Sequence, residues 1–209
     1  MWATRMKIQP MWRKYSLYLT GLCLLGVTAC KEDFTPKPKG YNRIDLPIPQ
    51  YQPLQEKHPY TFEYSVYSKI LKDSSRTALP HWINVFYPRY QANIQITYRP
   101  LNNDPKTLNA LLEDARTLTI KHQIKAEAIE GAIITTPKGL RVSVAELYGE
   151  VPSQFQFYVT DSTKHFFRGA LYFRTATAND SLAPVIDYIK KDITHMLNTL
   201  EFSDKEIKN

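Results

Sequence analysis

After Pro59 the chain alternates apolar and polar residues with a period of two, the pattern of a strand with one buried face. Tyr60, Phe62, Tyr64 and Val66 alternate with Thr61, Glu63 and Ser65, and the pattern returns at Ile83, Val85 and Tyr87 and at Ala92, Ile94, Ile96 and Tyr98. These runs predict three strands. Asp104-Pro105 then opens a helix, with Asp as N-cap and Pro in the first turn. Leu108, Leu111, Leu112, Ala115, Leu118 and His122 share one face of it, and it is expected to end near residues 125 to 128. Strand patterns resume over 132–136, 140–148, 154–161 and 166–174, separated by short turns that imply antiparallel hairpins. A last helix, capped near Asp180 or Ser181 with Pro184 in its first turn, carries Leu182, Val185, Ile186, Ile189, Ile193, Met196, Leu197 and Leu200 on one stripe.

The order β3-α-β4-α predicts an α+β domain over residues 60–202, an antiparallel sheet of six to seven strands covered by two helices. It is similar to the order of PsbP and Mog1-type domains, a likeness that implies no function by itself. Residues 203–209 form a polar tail.

Ahead of the domain the pattern is of another kind. Arg13 and Lys14 precede an apolar run from Tyr15 to Val27, roughly 13 residues and too short to span a bilayer as a helix. It reads as a secretory signal over residues 1–29. The run closes on Leu25-Gly26-Val27-Thr28-Ala29-Cys30, which resembles the lipobox of bacterial lipoproteins. Small side chains there fit a signal peptidase, and the Cys30 thiol carries the lipid as a thioether. Starts at Met1, Met6 or Met11 are all compatible with this signal, Met11 giving the more usual length. Cys23 leaves with the signal and Cys30 is acylated, so no disulfide is expected. Three acyl chains exceed what stable anchoring needs. Lys31, Glu32 and Asp33 fit either a surface-sorting tract or the solvated start of a linker, and Lys31 stands where an Asp would favour inner-membrane retention. The outer membrane is the favoured place, on its periplasmic face or at the surface, with the inner membrane as the alternative.

Residues 30–59 then form a tether holding Pro36, Pro38, Pro47, Pro49, Pro53 and Pro59 out of 14 prolines. Extended as polyproline II, it could reach up to roughly 90 Å. Tyr41 and Arg43 break its polar run, and part of it is expected to pack on the domain or on a partner.

The chain has 209 residues, 43% of them hydrophobic, enough for one good core. Its formal charge is +7, but the signal carries Arg5, Lys7, Arg13 and Lys14 and no acid, leaving 23 bases against 20 acids. A net +3 lacks the electrostatic footprint of a nucleic-acid binder, so no nucleic-acid partner is expected. Hydrolase motifs, a P-loop and a dinucleotide fingerprint are missing, so neither enzyme activity nor a cofactor is expected. His58, His81, His122, His165 and His195 are scattered without metal-ligand spacing. Asp192 and His195 could share a helix face, as a metal pair or, more simply, as a solvated pair.

The richest stretch is 148–173. With Phe155, Phe157 and Val159 inward, Gln154, Gln156 and Tyr158 form a polar and aromatic row on the other face, and the turn from Asp161 through Lys164 to His165 lies at its end, followed by Arg168. These residues, with Tyr41 and Arg43, are candidates for an interaction surface. Alternatively, a second helix covers that face, and Asp161 makes ordinary turn hydrogen bonds.

Four strings are idiosyncratic: Pro-Lys-Pro-Lys-Gly-Tyr-Asn-Arg-Ile-Asp-Leu-Pro at 36–47, Tyr-Thr-Phe-Glu-Tyr at 60–64, Gln-Phe-Gln-Phe-Tyr-Val-Thr-Asp-Ser-Thr-Lys-His-Phe at 154–166, and Asp-Ser-Leu-Ala-Pro-Val-Ile-Asp-Tyr at 180–188. In these the chain after Cys30 resembles the GldD family of gliding motility lipoproteins of Bacteroidetes. The resemblance implies a non-catalytic, membrane-anchored accessory of gliding and of the linked type IX secretion machinery, with other envelope proteins of that apparatus as partners. It supplies no active site. A rival reading is a ligand-binding lipoprotein with an apolar pocket between sheet and helices.

Overall fold

The computed structural model describes residues 44–121, 125–174 and 179–203. Strands β1 (Tyr51–Pro53), β2 (Tyr60–Thr61), β3 (Glu63–Ser65), β4 (Lys69–Lys72), β5 (Ile83–Tyr87) and β6 (Ala92–Pro100) precede helix α1 (Pro105–Ile120). Strands β7 (Ala126–Thr135), β8 (Arg141–Gly149), β9 (Ser153–Thr160) and β10 (His165–Phe173), helix α2 (Asn179–Thr199) and strand β11 (Glu201–Phe202) follow. Seven strands form one antiparallel sheet in the order β4-β5-β6-β10-β9-β8-β7. The class is α+β, as the alternation and the two apolar helix stripes predict.

One face of the sheet meets α2. Val185, Ile189, Ile193, Met196, Leu197 and Leu200 are at most 2% exposed, and they pack on the inward residues of β5, β6, β9 and β10, Phe157 and Phe167 among them. Every third or fourth residue of α2 is apolar, and the resulting stripe buries itself on the flat apolar face. The opposite face carries a much smaller core, in which Leu101, Ala115 and Phe166 are buried and Leu108, Leu111, Leu112 and Tyr158 are half-buried. Leu118, read as part of the α1 stripe, stands 40% exposed. Asp104 caps α1 as expected, accepting hydrogen bonds from the backbone N–H groups of Lys106 at 3.0 Å and Thr107 at 3.3 Å.

Two expectations need correction, and one strand was not expected. The strand expected from Tyr60 to Val66 is broken at Phe62 and stays out of the main sheet, because Tyr60 and Phe62 turn inward to seal the large core; β3 pairs with β1, and β2 with β11. Its place in the sheet is taken by β4, whose Lys-Ile-Leu-Lys shows no alternation because this edge strand is largely open to solvent, with only Ile70 half-buried against the core. Helix α1 ends at Ile120 and β7 starts at Ala126, where pairing with β8 overrides the helix propensity of Ala126-Glu127-Ala128. Part of the Pro-rich stretch packs on the domain, as Ile44 touches the core and Tyr51–Pro53 pairs with Glu63–Ser65. The cap read at Asp180 or Ser181 and the helix position of His122 lie outside the described residues or side chains.

Asp192 and His195 are not a solvated pair, since Asp192 is buried and His195 is half-buried. Asp192 is 2% exposed and accepts hydrogen bonds from the Tyr51 and Tyr87 hydroxyls, each at 3.0 Å. The His195 ring stacks on Tyr51, centroids 3.6 Å apart, and its Nε2 lies 2.7 Å from Glu63 Oε2. Together these contacts fasten β1 and β3 to α2.

Candidate functional site

Helix α1 is one helix over a wide sheet face, so it leaves part of that face uncovered. Between α1 and strands β7 to β9 lies a groove of about 560 Å³, within the range of small-molecule sites. Its floor follows from strand register, because residues directly opposite one another share a face. Arg168, Tyr158, Ser143 and Ile133 form one row across β10, β9, β8 and β7. Ala170, Gln156, Ala145 and Gly131 form the adjacent row, whose members shrink from Gln156 towards the sheet edge. Leu112, Thr119 and Ile120 of α1 make the roof.

Gln156 is 3% exposed. Its Oε1 accepts from Arg168 Nη2 at 3.0 Å and from Thr119 Oγ1 at 3.2 Å. Since a guanidinium only donates, this contact fixes which way the amide points and leaves Nε2 as a donor, which has no acceptor among the described residues. Arg168 is half-buried beside the Tyr172 hydroxyl, and no carboxylate among the described residues pairs with it. Burial pushes its guanidinium pKa down, with the Tyr172 hydroxyl working the other way. Tyr158 stacks on Phe166, centroids 5.6 Å apart, and fixes the inner wall. At the rim, Glu113 and Arg116 pair with each other at 3.2 Å in solvent.

The structure therefore brings together Gln156, Tyr158 and Arg168 and separates the other candidates from them. Gln154 is buried, donating to the Val151 carbonyl at 2.8 Å, so it contributes no exposed row. His165 is buried on the α2 side, its ring stacked on Phe202 and its Nδ1 2.8 Å from the Tyr98 hydroxyl. Asp161 organises the β9–β10 turn by accepting from the N–H groups of Thr163, Lys164 and His165 at 2.8 to 3.0 Å. Partial burial pushes its pKa up, but these backbone bonds outweigh it and hold the carboxyl below its usual value. Lys164 is exposed, and its carbonyl accepts from the Leu101 N–H at 2.8 Å. Tyr41, Arg43, Cys30, Lys31, Glu32 and Asp33 lie outside the described residues. Sequence reading missed Thr119, Ala145 and Gly131. Gly131 precedes the strand expected over 132–136, so only the observed β7 places it inside a strand, where glycine marks close approach of another group.

Beside the groove, β7 is a ten-residue edge strand with Ile133 65% and Ile134 38% exposed. Fold and site define a small α+β domain with a ligand-sized recess on one sheet face and an apolar edge strand next to it. Among the described residues no three His, Cys, Asp or Glu side chains cluster to hold a metal, and no helix is long and apolar enough to cross a membrane.

The chain belongs to the gliding motility lipoprotein GldD family, whose family model matches residues 31–202. Membership places it among lipoproteins of the cell envelope and gives it a part in gliding motility. Among solved structures, the solution structure of cyanobacterial PsbP (CyanoP) from Synechocystis sp. PCC 6803 is similar at 11% identity and a TM-score of 0.45, over 77% of this chain and 97% of that one. No curated protein matches.

Proposed function

We propose that this protein is a lipid-anchored, non-catalytic interaction component of the gliding motility apparatus and its associated type IX secretion machinery. Cys30 carries the anchor, with Lys31, Glu32 and Asp33 as a sorting tract. The segment up to the first packed residues is the tether, and the outer membrane is the favoured location. The observation that carries the binding role is β7. A ten-residue edge strand with exposed isoleucines and, among the described residues, no strand on its outer side is a template for another protein's strand. Natural edges normally blunt this with charge or proline; β7 has Glu127 and Glu130 only in its first half.

Crosslinking in cells with tagged full-length protein, followed by mass spectrometry and protease shaving, tests this reading. Motility or secretion components are expected with the native chain and are expected to be lost in Cys30→Ala. Ile133→Lys on β7 is expected to reduce their recovery at least tenfold without lowering the melting temperature, because that side chain is already in solvent. A Cys30→Ala chain that stays membrane-bound, or an Ile133→Lys chain with unchanged partners, would overturn the respective role.

A further inference from the structure

The geometry points to a binding site for a small amphiphilic carboxylate in the groove under α1, with its carboxylate on Arg168 and its apolar tail running over Ala145 and Gly131 to the sheet edge. Four observations carry it. First, Arg168 sits half-buried at the inner end of the groove with a neutral amide oxygen and a hydroxyl for company, and a guanidinium withdrawn from water without an anion is costly. Second, Gln156, almost fully buried beside it, has both Oε1 contacts filled while Nε2 has no acceptor. One planar anion at this point would meet donors that the fold leaves unanswered.

Third, the inner end of the site provides one cation and one neutral donor, while the other lining cation, Arg116, is paired with Glu113 on the rim. That matches a singly charged carboxylate, which guanidinium binds in its fork, and disfavours a phosphate dianion. Fourth, the row leading away from Gln156 falls to Ala145 and then to Gly131, while Leu112, Ile120 and Ile129 form apolar walls. From β10 to β7 is three strand spacings, about 14 Å. The trough therefore suits a chain of several methylenes lying across the strands. It does not depend on which protein meets β7, so failure of this site leaves the interaction role standing, and the reverse also holds.

Two sources share this chemistry, a short fatty acid and the free carboxyl terminus of an apolar peptide. Thermal unfolding of the full chain is measured with octanoate, with octanol, and with acetyl-trileucine as the free acid and as the amide. Octanoate or the free-acid peptide is expected to raise the melting temperature by about 5 °C at a hundredfold excess over its dissociation constant. The octanol and amide controls are expected to give no such rise, and the acid that acts identifies the source. Arg168→Met is expected to abolish the shift while melting no lower than the native chain without ligand, since Gln156 Oε1 keeps Thr119 and an unpaired buried charge is gone. Gly131→Val is the second variant. Its Cβ finds only the Val144 carbonyl oxygen, at 3.9 Å, so the strand accepts it while the trough is blocked. A shift of the same size with octanol, a shift that survives both variants, or no shift with either acid would overturn the assignment.

Discussion

Gly169→Ala is expected to destabilise the domain by about 3 kcal/mol, at the upper end for an added methyl in a packed core. Gly169 lies directly opposite Phe157 on β9, and the Phe157 ring folds over it. A Cβ at this position would stand 2.8 Å from Phe157 Cε2 and closer still to Cζ and Cε1. The ring has nowhere to go, because Phe157 is 2% exposed and packs against Phe155 and Phe167, with centroids 6.3 and 6.2 Å away. Denaturant unfolding measures the loss, and the double variant Gly169→Ala with Phe157→Leu is expected to cost less than the sum of the two single changes. A loss under about 1 kcal/mol would mean that the ring swings aside and the core is looser than its packing implies.

Removing the Asp192 carboxylate has an effect of similar size. Asp192→Ala leaves the buried Tyr87 hydroxyl and the Tyr51 hydroxyl without their acceptor, an expected cost of about 3 kcal/mol. The pH dependence has a definite sign. Burial raises the Asp192 pKa above its usual value, outweighing the hydrogen bonds from Tyr51 and Tyr87 that lower it. The folded chain therefore holds this proton more tightly than the unfolded chain does, and the linked stability is present below about pH 4 and falls as pH rises through the folded-state value. Asp192→Asn removes the titration. Urea unfolding from pH 3.5 to 7 is expected to show the native chain losing ground relative to Asp192→Asn as pH rises. A relative gain would mean that the tyrosine hydroxyls, not burial, decide this group's ionisation.

Legibility in the sequence followed how local each cause is. The α2 stripe and the alternation at Phe155, Phe157 and Val159 record burial on one face, so periodicity finds them and with them the α+β class. Strand β4 and the first half of β7 lie at sheet edges, where only Ile70 and, with Ala126, Ile129 are even half-buried and no period of two forms. The break at Phe62 comes from the need to close the core, which only the assembled sheet defines. Gln156, Tyr158 and Arg168 were legible as an unusual row on the second face, though not as residues shaded by α1. The trough needed the register of four strands to align Ala170, Gln156, Ala145 and Gly131, a relation between positions scattered from 131 to 170 that no window along the chain contains.

Fastening Tyr51 to both Asp192 and His195 has a mechanical meaning. Tension that passes the Ile44 contact reaches the domain at β1, a three-residue strand that would peel from β3 with little resistance if it were held by backbone pairing alone. The tyrosine instead hands the force sideways to α2, through a hydroxyl bond and a stacked ring, and α2 is seated on the large core. Load reaching Tyr51 from the N-terminal side is thereby passed to α2, on the face of the sheet opposite the groove under α1.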